Sequence, residues 1–165
     1  MAKTVLMTIQ IGEKIPPATF NLLRDGVEAV STDDVFVGHK VLLFAVPGAF
    51  TPTCSNQHLP GYVQHIDDFR QRDIRVACLA VNDAFVMHAW ATSQSVPGDL
   101  MMLADGNGAF TRALGLEMDG SAFGLGLRAR RFALYAEDGV VKQLQIEAPG
   151  EFKVSGAEHL LESLG

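Results

Sequence analysis

The sequence predicts an α/β domain whose mixed sheet carries helices on its faces, and three observations lead there. Two apolar runs without alternation, Lys40 to Val46 (KVLLFAV) and Ile74 to Val81 (IRVACLAV), have the composition of strands buried on both faces. Between them, Leu59, Tyr62, Val63, Ile66 and Phe69 recur at the spacing of one helical face. Strand, helix, strand in that order is a βαβ unit, with parallel neighbours and a right-handed crossover. Further on, Asp138-Gly139 separates Phe132 to Ala136 from Val140 to Ile146. That dipeptide is a hairpin signal, so antiparallel strands join the parallel ones and the sheet is mixed.

The remaining elements follow in chain order. Thr19 to Leu23 and Val27 to Val30 flank Asp25-Gly26 and predict an N-terminal hairpin. Pro60, near the start of the first helical pattern, should kink its opening turn or mark a re-start. Asp83 to about Ser95 reads as a helix, with Phe85, Val86, Ala89 and Trp90 on one side. Leu100 to Leu103 is a short strand, and Asn107 to Leu114 a short helix closed by Gly115. Ser155 to Leu164 is a last amphipathic helix, with Ser155 and Glu158 spaced as a capping box.

The chain has 165 residues, 48% hydrophobic and 19% charged, which fits one packed domain over residues 1–165 and argues against disorder. Its net charge of −6 repels phosphate backbones and makes nucleic acid an unexpected partner. The longest apolar runs, Val41 to Val46 and Val76 to Val81, are far short of the roughly 20 residues a membrane-spanning helix needs. The N-terminal stretch MAKTVLMTIQIGEK, with Lys3, has no secretory pattern, so a soluble cytoplasmic protein is expected. Two cysteines, Cys54 and Cys78, do not make a disulfide scaffold. The five histidines form neither His-x-His nor His-x-x-x-His, and no cysteine pair has zinc spacing, so no metal is expected.

The informative segment is Pro47-Gly48-Ala49-Phe50-Thr51-Pro52-Thr53-Cys54, between the end of a buried strand and the start of a helix. In open α/β sheets ligands bind at that edge. Cys54 is expected in the first turn of the helix, where unpaired backbone N–H groups and the helix dipole favour an anion, here a thiolate. A cationic neighbour favours it further, and the thiolate is the reactive form of cysteine. The Thr51 hydroxyl, three residues earlier, can donate to a substrate oxygen or to the sulfur. Pro47 and Pro52 stiffen the loop. The four residues Thr51 to Cys54 stand where a dithiol oxidoreductase carries Cys-x-x-Cys. Oxidation of Cys54 would therefore first give a sulfenic acid.

The stretch VPGAFTPTCSNQHLPGY, Val46 to Tyr62, resembles the peroxiredoxin signature P-x-x-x-T-x-x-C, most closely in the type-five (type-II, atypical) branch. ACLAVNDAFVMHAW, LADGNGAFTRALGL and RARRFALYAEDGVVKQL resemble the same family in the same order. The resemblance implies a thioredoxin-like fold with extra N-terminal strands. It implies that Cys54 is the peroxidatic nucleophile, that Thr51 hydrogen-bonds the peroxide and that Pro47 shields the thiolate. Arg131 would activate the peroxide, with Arg128 the second choice, and Phe50, with Phe123 less firmly, would wall the substrate pocket. Hydroperoxides would be reduced without a cofactor. Glutathione, glutaredoxin or thioredoxin would regenerate the enzyme, a homodimer meeting near the active-site loops. A redox relay passing oxidation to a partner protein is the alternative role.

Two residues carry competing readings. Cys78 lies in the middle of a predicted strand, where burial is expected, yet it is the one candidate for a resolving cysteine, and some plant-like relatives use a cysteine near this position. His58, four residues after Cys54, could form a Cys/His dyad, although packing or hydrogen bonding at the pocket edge accounts for it more simply.

Overall fold

The computed structural model describes residues 8–165, and the first residues, Lys3 among them, lie outside the described part. A seven-stranded sheet is formed by β1 (Thr19–Leu23), β2 (Val27–Ser31), β3 (Lys40–Ala45), β4 (Ile74–Ala80), β5 (Met101–Ala104), β8 (Phe132–Glu137) and β9 (Val140–Ile146). Its order is β2-β1-β5-β4-β3-β8-β9. β3, β4 and β5 run parallel, and the pairs β1–β2, β1–β5, β3–β8 and β8–β9 are antiparallel. A separate two-stranded hairpin, β6 (Glu117–Asp119) with β7 (Leu127–Ala129), stands apart from it.

The lack of alternation in the two apolar runs has its physical cause in the helices on both sheet faces. Leu42, Phe44 and Val46 point into one layer with Val76, Cys78 and Ala80. That layer is closed by Leu59 and Tyr62 of α2 (Leu59–Gln64), Ile66 and Phe69 of α3 (Ile66–Arg70), Met87 and Trp90 of α4 (Ala84–Ser93) and Leu160 of α6 (Ala157–Leu164). Val41, Leu43 and Ala45 point the other way, under Val35 and Phe36 of α1 (Thr32–Phe36) and Phe110 and Leu114 of α5 (Ala109–Leu114). Within the first layer Phe44 stacks on Tyr62 with centroids 4.0 Å apart and planes 5° from parallel. Such a pair adds about 1 kcal/mol beyond its area burial.

Several expectations shift. The buried face of α4 is Ala84, Met87 and Trp90, which pack into the first layer, so Phe85 and Ala89 turn outward; the Asp83 side chain caps the helix by accepting the Val86 N–H. No capping box forms at Ser155: α6 starts at Ala157 behind Gly156, because the Ser155 N–H and hydroxyl are held by Glu147. Pro60 leaves the helix continuous but follows a wide turn over Cys54–His58, in which the Leu59 N–H reaches the Cys54 carbonyl. The one-turn helix α1 and the β6–β7 hairpin were not anticipated. At Asp138-Gly139 both residues have positive φ, 49° and 79°, the backbone of the anticipated two-residue hairpin turn.

Candidate active site

β3 ends at Ala45, and the chain then crosses the sheet edge through Pro47, Gly48, Ala49 and Phe50. Two bonds from distant parts of the chain hold this loop: the Ala49 N–H donates to Asn82 Oδ1 at 3.0 Å, and Arg128 Nη1 donates to the Pro47 carbonyl at 3.4 Å. Gly48 sits in a crowded place, since a Cβ there would lie 2.8 Å from Arg128 Nη1 and 3.2 Å from Thr51 Cγ2, and the arginine that braces the loop would have to shift. The Thr51 carbonyl accepts the Ser55 N–H at 2.9 Å and opens the helix, so Cys54 sits in its first turn. Wide turns of this kind recur inside helices at functional sites. This one places Cys54 and His58 together in the buried layer, both without solvent exposure.

Arg131, immediately before β8, reaches both. Its Nη2 donates to Cys54 Sγ at 3.2 Å and its Nη1 to His58 Nδ1 at 2.8 Å. The guanidinium carbon lies 5.9 Å from the Phe152 ring centroid, a cation–π distance. His58 Nε2 lies 3.0 Å from the Ser155 carbonyl, which also accepts the Tyr62 hydroxyl at 2.7 Å. Burial, reinforced by the neighbouring Arg131 charge, pushes His58 down to about 3, so its ring is neutral near neutral pH. Beneath it, the buried Glu147 carboxylate accepts the N–H groups of Lys153, Val154 and Ser155 and the Ser155 hydroxyl. Burial raises that carboxyl, but these donors outweigh it and hold it below the usual range.

A cavity of about 530 Å³ opens beside this cluster. Pro47, Thr53 and Arg131 line its inner side, and Met118, Phe123 and Pro149 its apolar wall. Among the described residues no His, Cys, Asp and Glu side chains gather as a metal site would need. No described helix is long and apolar enough to cross a membrane.

The structure thus brings Pro47, Cys54 and Arg131 to one place, sets Thr51 one turn before Cys54 with its hydroxyl tied to Gly48, and separates other candidates from the cluster. Arg128 braces the loop through the Leu125 and Pro47 carbonyls instead of facing the sulfur. Phe50 does not line the cavity: it has φ 66° and is 56% exposed, and Phe123 stands in the wall. Thr51 gives its hydroxyl proton to the Gly48 carbonyl at 2.7 Å, so its oxygen is left with acceptor capacity, not the donor role expected from sequence. Cys78 is fully buried in mid-β4, paired with Phe44 and Met102. Burial pushes its thiol well above the ordinary range, and the neighbouring Cys54 adds to that. Glu147 and the Ser155 loop escaped the sequence reading. Their one signal was a lone acidic residue just after the last strand, next to Ala148-Pro149-Gly150.

Residues 10–161 match the redoxin family model. The chain is 48% identical to the chloroplastic peroxiredoxin-2E-2 of Oryza sativa over 99% of its length and 76% of that protein's. It is 46% identical to the chloroplastic peroxiredoxin-2E of Arabidopsis thaliana over 97% of its length and 71% of that protein's. Reduced Prx3 of Vibrio vulnificus, solved in complex with hydrogen peroxide, superposes with a TM-score of 0.91 at 46% identity, covering 96% of this chain and 100% of that one. The fold is therefore thioredoxin-like, as expected. The cytoplasmic location expected from sequence is overturned, since both plant relatives are chloroplastic. The composition of the N-terminal stretch does not select a compartment. With this fold, and with this extent of identity, the chain belongs to the peroxiredoxin family of thiol-dependent peroxidases.

Proposed function

We propose that Cys54 reduces hydrogen peroxide and organic hydroperoxides by direct attack of its thiolate on the terminal peroxide oxygen. The S–O bond forms as the O–O bond breaks, and the leaving oxygen takes a proton to give water or an alcohol, leaving a Cys54 sulfenic acid. The observation that carries this reading is the Arg131 guanidinium 3.2 Å from a fully buried sulfur. A guanidinium only donates, so it meets a lone pair of the sulfur, and such a charge-assisted bond aims its positive charge at the reacting atom. As charge moves to the leaving oxygen, the same group and the free N–H groups of the first helical turn stabilise it. Thr51, its proton held by Gly48, accepts from the peroxide O–H and aligns the O–O bond with the sulfur. Pro47 shields the sulfur on the cavity side. The apolar wall of Met118, Phe123 and Pro149 accommodates an alkyl substituent.

The sulfenic acid is then attacked by glutathione, glutaredoxin or thioredoxin, releasing water and forming a mixed disulfide that a second thiol cleaves. Cys78, buried and held as a thiol, plays no part in this cycle. Because Cys54 is enclosed, a protein reductant reaches it only when the first helical turn opens locally. The chain works as one domain over residues 1–165. It pairs as a homodimer through exposed Phe50 and Phe85 beside the active-site loop.

Peroxide consumption with each reductant, measured on wild type and Cys54→Ser, tests the proposal. Turnover by wild type and none by the variant is expected. Mixed disulfides with cell proteins, trapped faster than peroxide is turned over, would instead mark a redox relay.

A further inference from the structure

We infer that His58 is a positioning residue for Arg131: as a neutral imidazole carrying its proton on Nε2, it fixes the guanidinium against Cys54 without cancelling the guanidinium's charge. The inference rests on the reading of Cys54 as the peroxide nucleophile.

The partners of the ring decide its state. Nε2 faces the Ser155 carbonyl at 3.0 Å, and a carbonyl only accepts, so Nε2 carries the hydrogen. Nδ1 faces Arg131 Nη1 at 2.8 Å, and a guanidinium only donates, so Nδ1 carries the lone pair. One tautomer of one charge state satisfies both. With its lone pair committed to Arg131, His58 is unavailable as a base for Cys54, which removes the dyad reading.

The ring is itself held from several sides. It lies 4.9 Å from Phe44 and 5.0 Å from Phe152, centroid to centroid. The carbonyl it donates to belongs to the loop that Glu147 gathers through three backbone N–H groups. An arginine side chain has several rotatable bonds, and alignment at a reacting atom requires that they be frozen. A carboxylate in the place of His58 would freeze them too, but would compete with the thiolate and the leaving oxygen for the same positive charge. A neutral acceptor supplies orientation alone.

The test compares wild type with His58→Phe, which keeps the aromatic packing and loses both hydrogen bonds, and His58→Gln, whose amide has one acceptor and one donor. The rate constant for oxidation of Cys54 by hydrogen peroxide should fall about 10- to 100-fold in His58→Phe, the scale of one lost charge-assisted hydrogen bond. His58→Gln should recover to within about threefold of wild type. Nitrogen-15 NMR of wild type should show His58 neutral, with the hydrogen on Nε2, at neutral pH. Equal losses in the two variants, no loss in His58→Phe, or a hydrogen on Nδ1 would each overturn the inference. The NMR result decides the state of His58 even if a variant fails to fold. Should wild-type Cys54 ignore peroxide, the functional proposal fails while the tautomer result still stands or falls separately.

Discussion

Replacing His58 by glutamine should blunt the acid sensitivity of the fold. In the native protein His58 titrates at about 3, against an ordinary value of 6.5, with burial the larger cause and Arg131 the second. A depressed native value means that the unfolded chain takes up the proton first as pH falls. The stabilisation is complete above 6.5 and is lost as pH drops toward about 3. Between about pH 7 and about pH 4 the unfolded state gains roughly 3 kcal/mol from this one group, the native state almost nothing. The ring is fully buried, so solvent screening does not reduce the effect. Glu147 adds acid sensitivity of the same sign, but in wild type and variant alike, so it cancels in the comparison. Urea unfolding of both proteins at the two pH values gives the difference directly. Wild type should lose about 3 kcal/mol more than the variant on acidification. Equal losses would refute a neutral buried His58 and the geometry built on it.

Three further outcomes follow from the site. Thr51→Val removes the oxygen proposed to align the peroxide, and should slow Cys54 oxidation about 10- to 100-fold while costing about 1 kcal/mol of stability; a wild-type rate in stopped-flow assays would remove Thr51 from the mechanism. Gly48→Ala places a Cβ against Arg128 and Thr51, and should lower both the melting temperature and the peroxide rate; an unchanged protein would show that the loop has slack. Cys78→Ala leaves a small void in β4, costing about 1–2 kcal/mol, but turnover with glutathione and glutaredoxin should persist; loss of turnover would make Cys78 a resolving cysteine.

The central parallel strands were legible because a strand buried on both faces has no polar positions, and Val41 to Val46 has none. The β8–β9 hairpin was legible because Asp138-Gly139 must take positive φ at both positions. Short elements were not. α1 is a single turn whose capping pair, Ser31 and Asp34, gives little periodicity to detect, and β6 and β7 are only three residues each. The face of α4 was misjudged because nearly all its residues are apolar or small, so pattern alone could not choose a side. At the site, Cys54, Thr51, Pro47 and Arg131 lay in recognisable stretches. The role of His58 did not, because it depends on a carbonyl at Ser155, 97 residues away, and a main-chain oxygen leaves no trace in sequence. Glu147 escaped for the same reason, since its partners are mostly main-chain N–H groups.

Every role proposed at the site depends on Cys54 Sγ being the atom that peroxide oxidises. Reduced protein treated with one equivalent of hydrogen peroxide, in the presence of a sulfenic-acid trap and analysed by peptide mass spectrometry, measures that directly. The trap should be found on Cys54 and not on Cys78, at a rate that falls sharply when Arg131 is replaced by methionine. Label on Cys78, a Cys54–Cys78 disulfide as the first product, or a rate indifferent to Arg131 would contradict it.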